Sequence, residues 1–318
     1  MIIIRDFSDI KEPLNNPVVT IGNFDGVHLG HREIFLKVKR GANQIGGVSV
    51  VITFSPHPLK VLPSGRELQL INTYTEKELL IEASGIDYLI VIPFTENFAA
   101  ISAADFVSEI LVRRIGIKRL IIGYDYAFGR NREGSLTLLR RLGGELGFEV
   151  EVLAPIGNGT NIYSSTNIRS MINNGDVKGV VSLLGRHFSL VGRVVHGHHR
   201  GQGLGFPTAN LETDKELRPK SGVYAVKVKI DAATYDGACN IGSNPTFGDE
   251  KSSIEVFIFD FSGDLYGREL ELFFVERIRE ERKFSNIDDL RQSISQDVAH
   301  CREILHDTSV IEYHLEEG

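Results

Sequence analysis

Pro17-Val-Val-Thr-Ile-Gly22-Asn-Phe-Asp-Gly26-Val-His28-Leu-Gly30-His31 decides how the first half of this chain is read. A short β-branched run ends in glycine, a glycine-rich turn follows, and helical spacing begins at His31. There Ile34, Phe35 and Val38 share one side, while Arg32, Lys37 and Lys39 face water. A strand that feeds a helix through such a turn is the start of a β-α unit.

The unit repeats outward from this stretch. Gly47-Val-Ser-Val-Val-Ile-Thr-Phe54 predicts a second buried strand, and residues 75–83 a helix that stops at Gly85. Tyr88-Leu-Ile-Val-Ile92 predicts a third strand. Ser102-Ala-Ala-Asp105 resembles a capping box opening a helix through Phe106, Ile110 and Leu111 to Gly116. A strand at 118–123, a helix at 135–146 and a strand at 148–153 complete the series. Repeated β-α units imply an α/β fold, a parallel sheet with helices on both faces. Ligands of such sheets bind beyond the carboxyl ends of the strands, which is where the glycine-rich stretch falls.

The second half changes period. Short runs rich in Val, Ile, Phe and Tyr at 188–196, 222–230, 234–241, 253–261 and 269–277 are separated by Gly, Pro and Asp, the pattern of an antiparallel β-barrel or sandwich. An amphipathic helix at 287–305 ends it. The boundary is expected near Gly185-Arg-His-Phe188, after helices at 166–184, giving domains 1–185 and 186–318.

The bulk properties agree. The 318 residues match two domains at roughly 150 each, and each half is long enough to bury a core. With 42% hydrophobic and 24% charged residues, the chain has an ordinary globular composition. A formal net charge of −7 argues against a nucleic-acid partner. No apolar run approaches the ~20 residues of a membrane helix. Met1-Ile-Ile-Ile-Arg5 lacks a basic n-region and a cleavage site, so it reads as a first strand rather than a signal peptide. Cys239 and Cys301 form neither a CxxC site nor a disulfide framework, which fits a reducing cytoplasm.

Two stretches carry chemistry. In the first, Gly22 and Gly26 let the backbone approach a ligand, Gly30 opens a helix whose free N–H groups attract anions, and His28 and His31 lie close to one turn apart. Imidazoles there can neutralise charge developing on a phosphate. A bare HxGH is equally a tight strand-to-helix turn with incidental histidines. The second stretch is Gly197-His-His-Arg-Gly201-Gln-Gly203-Leu-Gly205-Phe-Pro207-Thr208-Ala-Asn210. It is not a Walker A loop, since no GKS/T ends it. Pro207 fixes φ, and Thr208 and Asn210 project to the same side of an extended segment, two neutral oxygens that suit Mg²⁺ shared with substrate phosphates. His196 and His198 share a strand face with His199 nearby, but no further ligand completes a zinc set, and a solvated loop is the other reading.

The string GxFDGxHxGH resembles the adenylyltransferase module of prokaryotic bifunctional riboflavin kinase/FAD synthetases, within the HxGH nucleotidylyltransferase superfamily. Thr53-Phe-Ser-Pro-His57-Pro58, Gly123-Tyr-Asp125-Tyr-Ala-Phe-Gly129-Arg-Asn-Arg132-Glu-Gly134 and Ser164-Ser165-Thr166-Asn-Ile-Arg169 resemble its other motifs. Gly-Phe-Pro207-Thr208-Ala-Asn210 resembles the hallmark of riboflavin kinases. Gly222-Val-Tyr-Ala225, Asn240-Ile-Gly-Ser-Asn-Pro-Thr-Phe247, Glu255-Val-Phe, Asp264-Leu-Tyr-Gly267 and Arg279-Glu-Glu-Arg-Lys-Phe284 continue that likeness.

The resemblance implies a Rossmann-like nucleotidylyltransferase domain followed by a β-barrel kinase domain with a terminal helix. It implies ATP-dependent phosphorylation of riboflavin to FMN, then adenylylation of FMN by ATP to FAD and pyrophosphate, with Mg²⁺. On the adenylyltransferase side it implies ATP contacts from Gly22, Phe24, Asp25, Gly26, His28, Gly30, His31, Ser164, Ser165, Thr166 and Arg169, and FMN contacts from His57, Pro58 and Asp125. On the kinase side it implies ATP contacts from Gly197, Gly201, Gly203, Gly205, Pro207 and Asn240. Thr208 and Asn210 would be the metal ligands, Arg279 and Phe284 would touch flavin, and Glu255 would be the general base.

By alternation alone Glu255 is a surface residue opposite Ile254, Val256 and Ile258. Likewise Arg279 is equally a rim ion pair with Glu280 or Glu281, Asp125 and Arg132 a solvated loop pair, and the 164–166 stretch merely a helix cap. Ala127, Asn167, Gln202 and Phe257 depart from residues usual in the family, which bears on rates more than on reaction type. Two other readings are a single retained activity and a flavin- or nucleotide-binding regulator.

Overall fold

The computed structural model describes residues 1–63, 67–124, 126, 128–130, 133–157, 159, 162–197, 205–242 and 253–313. By packing they divide into two compact units. One spans Met1–Ser165 and takes in Tyr313, and the other spans Thr166–Glu312.

The first unit is a six-stranded parallel sheet. Its strands are β1 (Ile2–Ile4), β2 (Val18–Ile21), β3 (Ser49–Ser55), β4 (Tyr88–Pro93), β5 (Arg119–Gly123) and β6 (Glu149–Leu153), in the order β1-β4-β3-β2-β5-β6. Between them run α1 (Leu29–Gln44), α2 (Pro58–Val61), α3 (Tyr74–Glu82), α4 (Glu96–Ala99), α5 (Ala103–Asp105) and α6 (Leu136–Leu146). All four residues of β2 are buried, as expected of a strand covered on both faces. Alternate strand residues serve opposite helix layers. Val18, Val51 and Leu89 pack with Phe35 and Val38 of α1, whereas Val19, Val50 and Ile90 pack with Phe106, Leu111 and Leu139.

The chain builds β2, β3 and β4 to one side of β2, then crosses to lay β5 and β6 on the other. The carboxyl ends of β2 and β5 therefore flank a topological switch point, the expected ligand crevice. The helix expected from Ser102 does start with that cap, the Ser102 hydroxyl accepting from Asp105 N–H at 3.1 Å. After α5 it winds as a π-helix over Phe106–Ile115 and stops at Gly116, whose left-handed φ of +81° glycine adopts without strain.

The second unit resolves the choice between barrel and sandwich. Strands β7 (Phe188–Val195), β8 (Ala209–Glu212), β9 (Gly222–Ile230), β10 (Ala233–Gly242), β11 (Ser253–Ile258) and β12 (Glu269–Arg279) close into an antiparallel barrel in the order β10-β11-β8-β7-β12-β9. The strand that closes it, β8, is the one whose pairing the periodicity does not announce. It bridges Asn210 to Val195 on one side and to Glu255 on the other. Helices α7 (Ser165–Asn174) and α8 (Val181–Leu184) precede the barrel, and α9 (Ile287–Leu305) covers its outer face through Cys301 and Leu305, packed with Ala225 and Phe259.

Candidate active sites

In the first unit the loop between β2 and α1 is tightly wound. Phe24 (φ +49°), Gly26 (φ +90°) and Val27 (φ +36°) all adopt left-handed backbone, which is strained for Phe and more so for β-branched Val. Buried contacts hold that shape. Val27 and Phe24 lie in the core. The buried Asp25 carboxylate accepts from the N–H groups of Ile71 (3.0 Å) and Asn72 (3.3 Å), and Ser165 Oγ donates to Asp25 C=O at 2.8 Å. Asp25 thus shapes the loop, and Ser165 at the start of α7 fastens it.

The loop delivers His28 as the N-cap of α1, its Nδ1 accepting from His31 N–H at 3.3 Å. His28 and His31 stack at 3.6 Å between centroids with 19° between planes, and the edge of Phe24 supports His31 at 5.2 Å. A side chain at Gly30 would press on the His28 ring and on Tyr163 Cβ, both at 3.2 Å. A side chain at Gly22 would meet the Phe24 ring at 2.9 Å. The two imidazoles are thus held together where the helix dipole attracts anions.

His57 caps α2, accepting from Leu59 N–H at 3.1 Å, with Pro58 in the first turn, and its own N–H donates to the Tyr74 hydroxyl at 2.9 Å. Ser164 precedes α7, Thr166 is exposed in its first turn, and Arg169 is half-buried one turn on. Asp125, Arg132 and Ala127 lie outside the described residues.

In the second unit, Ile254, Val256 and Ile258 are buried, while Glu255 and Phe257 alternate to the other face as expected. That face is not open surface. The segment after β12 and α9 roof a cavity of ≈ 620 Å³ lined by Thr208, Asn240, Glu255, Phe257, Arg279 and Phe284 among others. Glu255 is the direct cross-strand partner of Asn210 on β8 and of Asn240 on β10. Cross-strand partners share a face, so two amides flank the carboxylate. The Thr208 hydroxyl donates to Glu255 Oε2 at 3.3 Å.

Gly197 leaves room for this group, since a Cβ there would fall 2.2 Å from Asn210 Nδ2. Gly205 (φ +87°) and Pro207 are exposed. His196 stacks on Tyr266 at 4.0 Å. His198, His199, Gly201, Gln202, Gly203 and the 243–247 part of the asparagine-glycine segment fall outside the described residues.

The FAD synthetase family model matches residues 10–167, and the riboflavin kinase family model matches residues 184–305. The chain belongs to the bifunctional riboflavin kinase/FMN adenylyltransferase family. The family member from Buchnera aphidicola (subsp. Acyrthosiphon pisum) is 38% identical over 94% of this chain and 96% of its own length. The Escherichia coli K12 member is 34% identical over 95% and 97%. A crystal structure described as a macrolide-efflux protein from Streptococcus pneumoniae is 32% identical with a TM-score of 0.86, covering 97% of this chain and 99% of that one. Efflux is said of that protein; among the described residues here no helix is long and apolar enough to cross a membrane.

The Phe257 and Phe206 rings meet edge to face, 5.5 Å between centroids, and together make an apolar wall of the cavity. Asn167 is exposed on α7. Arg279 corrects one sequence alternative. Among the described residues its ion-pair partner is Asp297 and not the Glu280 or Glu281 carboxylate. Its guanidinium grips Asp297 of α9 (Nη2–Oδ2 2.7 Å, Nε–Oδ1 2.9 Å), with both side chains largely buried, and its Cζ lies 5.8 Å from the Phe284 ring centroid.

Sequence reasoning missed Lys77. A capping box between Thr73 and Glu76 sets the register of α3 and turns Lys77 inward with Ile81, which leaves it 7% exposed. Its Nζ donates to Thr53 Oγ1 (3.1 Å), Asn23 C=O (3.3 Å) and Phe54 C=O (3.4 Å). Burial pushes this ammonium down to about 8, partly offset by the charges of Asp25 and Glu78. The available signal was a lysine one helical turn before Ile81 on the apolar side of α3.

Proposed function

We propose that this chain makes FAD from riboflavin in two ATP-consuming steps at separate sites, with the division of function at 185/186. The observation that carries the proposal is Glu255 between Asn210 and Asn240 on the neighbouring strands with Thr208 donating to it, where Glu255, Thr208 and Asn240 line a cavity against α9.

In the kinase step the riboflavin 5′-hydroxyl is neutral and a weak nucleophile, so a base is required. The Glu255 carboxylate takes its proton as the oxygen bonds to the ATP γ-phosphorus and ADP leaves. Arg279 and Phe284 bound the flavin, and Gly197, Gly201, Gly203, Gly205, Pro207 and Asn240 serve the nucleotide. Mg²⁺ suits the donor set, because Thr208 and Asn210 present hard neutral oxygens beside a carboxylate in a space that a Cβ at 197 would fill. When bound, the ion would neutralise phosphate charge.

In the adenylylation step the FMN phosphate is already an anion. One of its oxygens bonds to the ATP α-phosphorus, and the bond to pyrophosphate breaks. No base is needed; positioning and charge neutralisation are. His28 and His31 serve the ATP phosphates, and Ser164, Ser165, Thr166 and Arg169 the departing pyrophosphate. Gly22, Phe24, Asp25, Gly26 and Gly30 shape the loop, and His57, Pro58 and Asp125 serve FMN. A cytoplasmic location belongs to the same proposal, supported by the use of ATP and by two free, buried thiols.

The test is to incubate the pure chain with riboflavin, ATP and Mg²⁺ and to separate the flavins by chromatography. FMN appears first and FAD follows. Absence of both products refutes the proposal.

A further inference from the structure

Lys77 is a buried cation whose ammonium donates hydrogen bonds to three neutral oxygens. Those partners belong to two different loops at the carboxyl edge of the sheet. Asn23 opens the strained turn that presents His28 and His31, and Thr53 and Phe54 end β3 just before His57. Thr53 Oγ1 also donates to Asn23 C=O at 3.2 Å, so the ammonium sits on a joint between the loops. Tyr74, on the same helix, reaches the second loop again through the His57 N–H, and its ring lies 5.3 Å from the Lys77 ammonium.

Neutral donors such as Ser or Asn could tie the same carbonyls together without the desolvation penalty of a charge. A cation is advantageous at this place if anions must gather above it, since its field acts through a poorly polarisable interior. We propose that Lys77 is a positioning residue for FMN adenylylation. It locks the HxGH loop to the His57 loop and charges the crevice positively before the two phosphate-bearing substrates meet. This rests on the adenylyltransferase reading of the first site.

The charge requirement gives a readout that a purely structural tie would lack. The groups facing Lys77 are Asp25 from the β2–α1 loop, Glu78 and Tyr74 on α3, and the neutral oxygens of Asn23, Thr53 and Phe54. The amine loses its charge as pH rises through about 8.

The experiment uses the full chain and its Lys77→Met and Thr53→Val variants. Riboflavin phosphorylation and FMN adenylylation are measured on the same preparations between pH 7 and pH 9.5, together with Tm. For Lys77→Met the expected result is a fall in adenylylation kcat of about 10- to 100-fold, with much smaller changes in KM, an unchanged kinase rate and a Tm no lower than wild type. Wild-type adenylylation declines through pH 8 while kinase does not. Thr53→Val, which keeps the charge, loses less and keeps that decline, whereas Lys77→Met has none.

Unchanged adenylylation in Lys77→Met overturns the inference, as does a parallel loss of both activities with a fallen Tm. Should that variant not fold, the wild-type profile decides, and a rate flat through pH 8 to 9.5 overturns it. A wild-type chain that makes no FAD overturns the adenylyltransferase reading as well. One that makes FAD regardless of Lys77 overturns only this inference.

Discussion

Glu255→Gln isolates the base from everything else Glu255 does. The substitution preserves volume and keeps an oxygen that can accept from Thr208, which now lies 3.3 Å from Oε2. The amide remains compatible with Asn210 and Asn240 as neighbours in the row. The barrel is unaffected, because Glu255 projects away from the core formed by Ile254, Val256 and Ile258. What disappears is the acceptor for the 5′-hydroxyl proton. General-base catalysis contributes about 10²–10⁴-fold, equivalent to about 2.7–5.4 kcal/mol of transition-state stabilisation. The kinase kcat is expected to fall by that factor with KM for riboflavin and ATP nearly unchanged, since ground-state contacts survive. FMN supplied directly is still converted to FAD at the wild-type rate. The assay is initial-rate chromatography of flavins with riboflavin in one arm and FMN in the other. A kinase kcat within a factor of about three of wild type would refute the base assignment, being far below the range such a base supplies. Loss of both activities from a folded protein would refute separate sites.

His31→Ala removes one ring of the stacked pair and is expected to cut FAD formation by about 10²-fold or more while riboflavin phosphorylation continues; equal loss of both in the two-arm assay counts against it. Gly197→Ala places a methyl 2.2 Å from Asn210 Nδ2, so Asn210 is displaced and kinase activity is expected to drop about tenfold or more, with FMN adenylylation as the internal control. Lys77 also makes a stability prediction. Its folded value of about 8 lies below the usual 10.5, so between those values the unfolded chain holds a proton the folded chain has released, and stability rises with pH across that window. Relative to wild type, Lys77→Met should be most favoured at pH 7, by on the order of 3 kcal/mol before its lost hydrogen bonds are counted, and the advantage should shrink from pH 8 to 10.5 in denaturant titrations.

What the sequence disclosed depended on how local the cause was. The β2–α1 unit was legible because one short stretch contains the buried strand, the glycines and the helix spacing. The barrel was legible as strands but not as closed, since β8 reads Ala-Asn-Leu-Glu, with no β-branched residue to mark it. Glu255 reads as a surface residue by alternation, because the cover over its face comes from α9, far along the chain. Asp297, the partner of Arg279, lies on that same helix. For Lys77 only the spacing from Ile81 gives a signal, because the oxygens that draw it inward come from Asn23 and Thr53, distant in sequence. The left-handed backbone at Phe24 and Val27 has no sequence signal, because the contacts that hold the loop, core burial of both side chains and the Asp25 bonds to Ile71 and Asn72, are tertiary.

The two chemistries place opposite demands on charge, which argues against one shared site. A carboxylate poised like Glu255 beside an incoming FMN phosphate would repel the nucleophile. Two unit charges about 4 Å apart at an effective dielectric near 20 interact by ~4 kcal/mol, close to a thousandfold in rate. The first unit avoids this, because the Asp25 carboxylate is turned into main-chain N–H groups, the histidines stand over a helix N-terminus, and Lys77 adds a positive charge beneath. The second unit can keep a carboxylate because its nucleophile arrives neutral, and the cross-strand neighbours of Glu255, Asn210 and Asn240, are uncharged amides. Moving a carboxylate into the first crevice, or a lysine beside Glu255, would therefore disable the chemistry next to it even with every backbone contact intact.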